Sequence, residues 1–145
     1  MEFQDMAGHV IRRLHQASSA LFQSRMKAAG FDLTPVQFAA LDAVAAAPGI
    51  DQAGVAARIA YDRATIGGVI DRMERKGLLA REVSRRDRRA RELRLTRDGE
   101  AVLEAARPVV RGLQDEILSD LDDAERVQFL ALARKAAGAG AGEAG

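Results

Sequence analysis

The segment from Asp62 to Leu95, DRATIGGVIDRMERKGLLAREVSRRDRRARELRL, leaves few folds open to this chain. Asp62 is placed to cap a helix that Gly77 would stop near Lys76. Ile66, Val69, Ile70 and Met73 recur at helical spacing and form one apolar face. Beyond the glycine the period changes from 3.6 to 2. Leu79 and Val83 alternate along one predicted strand, 79–84, and Leu93 and Leu95 along a second, 91–95. The turn between them is loaded with arginine. Across 81–97 there are eight arginines (81, 85, 86, 88, 89, 91, 94 and 97) against Glu82, Asp87 and Glu92, a local charge of +5. Like charges packed into one turn repel each other, a cost with little return unless an anion binds there.

The face of the helix opposite its apolar stripe carries Ala64, Thr65, Gly68, Asp71, Arg72 and Arg75. Gly67 and Gly68 are each unfavourable in a helix by roughly 1 kcal/mol relative to alanine. On an exposed face they allow another surface to approach the backbone, as a helix entering a DNA major groove requires. Arg63 and Thr65 in the first turn are placed for phosphates or base edges, and Arg72 and Arg75 for phosphates or guanine. Helix plus basic hairpin is the layout of a winged helix-turn-helix. At the tip, Arg85, Arg88 and Arg89 are candidate DNA contacts. Asp87 is expected to pair with Arg89 and stiffen the turn, leaving Arg88 to enter a narrow minor groove. A solvated amphipathic helix and a solvated charged hairpin are the plainer alternatives.

Overall charge is only +1, but it is unevenly spread. Residues 51–97 hold 13 Lys/Arg and 7 Asp/Glu, leaving 9 and 14 for the rest, so a +6 middle lies between flanks totalling −5. The chain has no cysteine, which excludes disulfides, thiol redox sensing and thiolate metal sites. His9 and His15 alone make a poor zinc site. No apolar run is long enough to span a membrane, and the N-terminus has no secretory h-region, so a cytoplasmic protein is expected. No cofactor motif appears. Ser84 has no nearby histidine, no carboxylate pair has a recognisable spacing and no phosphate loop follows a strand, which argues against an enzyme.

Long apolar-striped helices flank the basic module. Residues 4–29 are predicted to form the first, with Val10, Leu14, Ala17 and Leu21 in line. Thr34, Pro35 and Gln37 spell a capping box for a second helix reaching Ala46, with Leu33 and Phe38 placed as a hydrophobic staple. Asp51 is positioned to cap a third, short helix. Thr96 opens a long helix with Val102, Ala106, Val109, Leu113 and Ile117 on one stripe and Pro108 inside it, where a kink is expected. Asp122 and Glu125 form a capping box for the last helix, to about Ala137. The tail 138–145 is low-complexity and expected to be disordered. The fold class is thus mainly α with a small β-hairpin wing, in one domain.

LTPVQFAAL, PGIDQAGVAARIAYDRATIGGVIDRMERKGLLARE and SRRDRRARELRLTRDG together resemble the MarR (multiple-antibiotic-resistance regulator) family, and the likeness spans residues 8–137. The resemblance implies a homodimeric transcription regulator. Its dimerisation lobe would comprise 1–32 and 108–137 and its DNA-binding lobe 33–107. Two winged modules would read a pseudo-palindromic operator in double-stranded DNA, about one helical turn apart. GHVIRRLHQA resembles the branch that answers to aromatic carboxylates, in which an arginine of the first helix pairs with the ligand carboxylate. Arg12 matches that position, with Arg13 the alternative. His9, His15 and Phe38 are candidates to complete the ligand site, and a repressor released by such a ligand is the expected function. A regulator without a ligand, or a winged-helix protein-interaction module, is the competing reading; the intact arginine tip argues against the second.

Overall fold

Five of the helices begin on a side chain that accepts a backbone N–H otherwise left without a partner. In the computed structural model, which describes residues 1–88 and 90–138, these caps are Thr34, Asp51, Asp62, Thr96 and Asp122. They open α2 (Pro35–Ala46), α3 (Gln52–Arg58), α4 (Arg63–Arg75), α5 (Arg97–Ile117) and α6 (Asp123–Ala136), all following α1 (Ala7–Ala28). Both expected capping boxes, Thr34 with Gln37 and Asp122 with Glu125, are complete. Strands β1 (Leu79–Val83) and β2 (Arg91–Leu95) pair antiparallel, with Leu79 opposite Leu95 and Arg81 opposite Leu93. The backbone of the α2–α3 loop extends this hairpin: Gly49 N donates to Leu93 O and Leu93 N to Ile50 O, both at 2.9 Å.

Two boundaries stand apart from the sequence reading. The first helix starts at Ala7, not residue 4, because Met6 is extended (φ −72°, ψ 134°) and separates α1 from a 3-10 turn at Phe3–Asp5. The first strand ends at Val83, since Ser84 turns its side chain inward to build the tip. Helix α5 holds Pro108 within it, as the sequence reading placed it. The low-complexity tail lies outside the described residues beyond Gly138.

The core lies around α2, whose Ala40, Leu41, Ala43 and Val44 are all buried. Phe22 and Met26 from α1, Val55 and Ala56 from α3, Ile66, Ile70 and Met73 from α4, Leu79 and Leu93 from the hairpin, Leu103, Ala106 and Leu113 from α5, and Leu33 and Leu78 from the connecting segments complete it. Full burial of each large side chain stabilises by roughly 1.5–3 kcal/mol. The N-terminal half of α1 contributes nothing to this core. Ile11 is 63% exposed, and Val10 and Leu14 are exposed beside it. Helix α6 has no buried residue at all, and its Val127 and Leu132 are 70% and 66% exposed.

Helices α1 and α5 are joined at their ends by Arg25, which donates to both carboxylate oxygens of Glu116 at 2.9–3.0 Å. The hydrogen bond between them lowers the Glu116 pKa and, with the charge attraction, raises that of Arg25. A carboxylate held below its ordinary pKa contributes stability above the unfolded value and loses it as pH falls through the folded one. Glu116→Gln is therefore expected to melt below the wild type at neutral pH, with the two melting curves converging under acid conditions below the usual carboxylate range.

Candidate nucleic-acid interface

The Asp62 carboxylate accepts from Ala64 N at 2.9 Å and starts α4. Thr65 Oγ1 donates back to the Asp62 carbonyl at 3.2 Å, which fixes the first turn. Ile66, Ile70 and Met73 then seat the helix, with Val69 partly buried, as the periodicity predicted. Arg63, Thr65, Gly68, Arg72 and Arg75 all lie exposed on the outer side. A shallow concavity of about 320 Å³ runs along this surface, bounded by Thr34, Tyr61, Thr65, Gly68 and Arg72.

The two adjacent glycines differ. A Cβ at Gly68 would meet no heavy atom within 4 Å, whereas one at Gly67 would lie 3.0 Å from Gln52 Nε2. Gly67 lets α3 and α4 close on each other, and Gly68 leaves the outer surface of the helix flat. Asp71, expected on the free face, is instead half-buried in an ion pair with Arg81 at 2.7 Å.

The wing is assembled from its base upward. Glu82 and Glu92 are direct cross-strand partners, and Arg94 reaches both carboxylates at 3.5 and 3.4 Å, offsetting their repulsion. At the tip the buried Ser84 Oγ accepts from Arg86 N at 3.2 Å and Asp87 N at 3.3 Å. Ser84 N donates to Ala90 O and Ala90 N to Asp87 O, both at 3.0 Å. This turn points Arg85, Arg86 and Arg88 into solvent, and among the described residues none of them forms an ion pair. Arg89, and with it the expected Asp87–Arg89 brace, lies outside the described residues.

Three positions that carry this geometry escape a reading by charge and period. By pattern Ser84 reads as the end of the first strand and as a serine with no histidine nearby; its role as hub of the tip has no sequence signal beyond the serine before a turn. Arg81 counts toward the basic cluster but is spent internally. Lys76, beyond the end of α4, donates from Nζ to the Asp32 carbonyl and to Gln37 Oε1, and pairs with the Asp32 carboxylate at 3.3 Å. Gln37 Oε1 also accepts from Thr34 N at 3.2 Å, so one buried oxygen joins the start of α2 to the end of α4.

The residues singled out for a ligand are not gathered in one cleft of the protomer. Arg12, Arg13 and His15 are exposed on α1. His9 is half-buried, its ring 4.6 Å from that of Phe3. Phe38 packs edge-on against Phe22 at 6.4 Å and lines a groove of about 280 Å³ between α2 and α5, with Asp42, Arg107, Val110, Arg111 and Gln114. A larger cleft of about 660 Å³ opens where the second half of α1 meets the loop to α2, around Phe22, Met26, Phe31 and Lys27.

Residues 31–90, from the loop before α2 through the wing tip, match the MarR family. Transcriptional regulator HosA of Escherichia coli is 36% identical over 135 residues, covering 93% of this chain and 97% of HosA. The chain belongs to the MarR family. This MarR-family protein is a DNA-binding transcription regulator, with α3 and α4 as its helix-turn-helix and β1–β2 as its wing. The transcriptional repressor NicR of Pseudomonas putida is 33% identical over 131 residues, 90% of this chain and 82% of NicR. Among solved structures, BpsR of Bordetella bronchiseptica superposes with a TM-score of 0.88 at 33% identity, over 94% of this chain and 96% of BpsR. DNA binding by BpsR is regulated by 6-hydroxynicotinic acid, a heteroaromatic carboxylate.

Proposed function

We propose that this MarR-family protein is a cytoplasmic, dimeric repressor without enzymatic activity, released from a pseudo-palindromic operator by a small aromatic carboxylate. The observation that carries the DNA-reading geometry is the open face of α4. Gly68 clears the approach, and Arg63, Thr65, Arg72 and Arg75 surround it; Arg85, Arg88 and Arg89 are the contacts proposed for the wing. In this reading α4 reads the major groove and Arg88 the minor groove, with Asp87 bracing the tip. Residues 33–107 form the DNA lobe. The dimer lobe, 1–32 and 108–137, joins two copies through the exposed apolar surfaces of α1 and α6.

Similarity to BpsR, together with the sequence GHVIRRLHQA, supports the effector class. Arg12, or Arg13 as its alternative, offers a guanidinium fork to the carboxylate. His9 and His15 supply hydrogen bonds to ring substituents, and Phe38 an aromatic wall. Among the described residues neither arginine forms an ion pair, so each is available to an anion. A charge-assisted bond of this kind contributes about 1.5–3 kcal/mol.

A thermal-shift screen with 6-hydroxynicotinate, benzoates, hydroxybenzoates and cinnamates tests the class, because a ligand of the folded state raises the melting temperature. Arg12→Ala is expected to bind duplex DNA like the wild type, lose about tenfold or more in affinity for the acid, and no longer release DNA when it is added. Release by the acid at wild-type concentrations would remove Arg12 from the site and leave Arg13 to be tested.

A further inference from the structure

Arg81 is the third residue of β1, yet its side chain leaves the wing and lies across the helix-turn-helix. Nη1 donates to Asp71 Oδ1 at 2.7 Å and to Glu74 Oε1 at 3.3 Å, both on α4. Nη2 donates to Gln52 Oε1 at 3.1 Å, on α3. One guanidinium thus bonds three acceptors on two helices, with its side chain only 25% exposed. The amide nitrogen of Gln52 in turn occupies the space over Gly67 that a Cβ would fill, so the cluster extends into the packing of α3 on α4.

We propose that Arg81 is a positioning residue for sequence recognition, fixing the spacing and angle between the major-groove helix and the minor-groove wing. The inference rests on the DNA-reading geometry proposed above and adds a division of labour among its arginines. Arg81 faces two carboxylates at close range, so its charge is neutralised locally and adds little to the attraction for phosphate. Arg85, Arg86 and Arg88 have no such partners among the described residues and are left to supply that attraction. A planar fork with fixed donor directions suits a three-way tie, and a lysine ammonium cannot reproduce it. Loss of the tie would let wing and helix move independently. Contacts to phosphate tolerate such movement, whereas base contacts need placement to within about 0.5 Å.

The test uses two duplexes of about 30 base pairs, enough for two half-sites one helical turn apart. One is recovered from a randomised pool by selection on the wild-type protein, and the other is a scrambled sequence of equal composition. Dissociation constants are measured for both between about 50 and 200 mM salt. Arg81→Ala is expected to bind the scrambled duplex within about twofold of wild type, with an unchanged salt slope, and to lose about tenfold or more on the selected duplex. Arg81→Lys recovers part of that loss. Arg85→Ala, by contrast, weakens both duplexes and reduces the slope by about one phosphate contact. Equal losses on both duplexes with a flattened slope would make Arg81 a phosphate contact and overturn the inference, as would wild-type discrimination in Arg81→Ala. Should Arg81→Ala fail to fold by circular dichroism, Gln52→Met removes one acceptor and leaves both ion pairs; a smaller loss confined to the selected duplex supports the inference, and unchanged discrimination overturns it. A wild-type protein that binds neither duplex refutes the DNA-reading geometry itself, and the inference with it.

Discussion

Gly68→Leu is expected to melt above the wild type and to lose its operator. Glycine within a helix is unfavourable by about 0.8–1 kcal/mol relative to a good helix former, and leucine is among the best. No heavy atom lies within 4 Å of the position a Cβ would take, so the larger side chain meets nothing in the protein. It projects instead into the space where, in the proposed reading, α4 meets DNA. Holding the helix a few ångströms off the groove disengages the base contacts around it. Each good bidentate contact contributes about 1–3 kcal/mol, so the loss of one or two amounts to roughly a hundredfold in affinity. Thermal melts and gel shifts on the same preparation separate the two effects. A stabilised variant with normal DNA binding would mean that the outer face of α4 is not the reading surface.

Gly99→Ala carries the largest expected cost to the fold. Its Cβ would lie 2.0 Å from the Leu78 carbonyl oxygen and 3.0 Å from the carbonyl carbon. These are backbone atoms and have little room to yield. Leu78 O already accepts from Thr96 N at 3.1 Å, and Leu78 N donates to Met73 O at 3.0 Å. Thr96 Oγ1 in turn donates to Gly77 O and accepts from Gly99 N, tying the first turn of α5 to the end of α4. An added methyl must push α5 off the hairpin. The cost falls at or above the upper end of the 1–3 kcal/mol typical of overpacking. At roughly 2–4 °C per kcal/mol, that is a drop of about 10 °C in melting temperature. A melting temperature within about 2 °C of wild type, less than 1 kcal/mol on that scale, would show that the close approach of α5 to Leu78 is not rigid.

The side-chain-capped helix starts were legible because their signals are local. Thr34 with Gln37, and Asp122 with Glu125, act within one turn of backbone, and both boxes form as their sequences predict. The buried face of α4 was legible for the same reason, since a period of 3.6 fixes which residues share a side. What could not be read was the partner of a long side chain. Arg81, Arg85 and Arg88 look alike in a charge count, yet only the fold shows that Arg81 reaches Asp71 and Gln52 while the other two face water. The difference between Gly67 and Gly68 was hidden likewise, because it depends on where α3 crosses α4. The links from Lys76 to Asp32 and Gln37 span 44 and 39 residues and leave no periodic trace.

No residue of helix α6 is buried within its own protomer, and in the proposed dimer this would make protein abundance a control variable. With association through α1 and α6, a lone protomer would present exposed valine and leucine and a terminal helix with little to hold it. Order in that helix, pairing of the two DNA lobes and occupancy of a two-fold site would then rise together by mass action. Below the dimer dissociation constant, operator occupancy would follow the square of protomer concentration, so a modest fall in synthesis would lift repression more sharply than the fall itself.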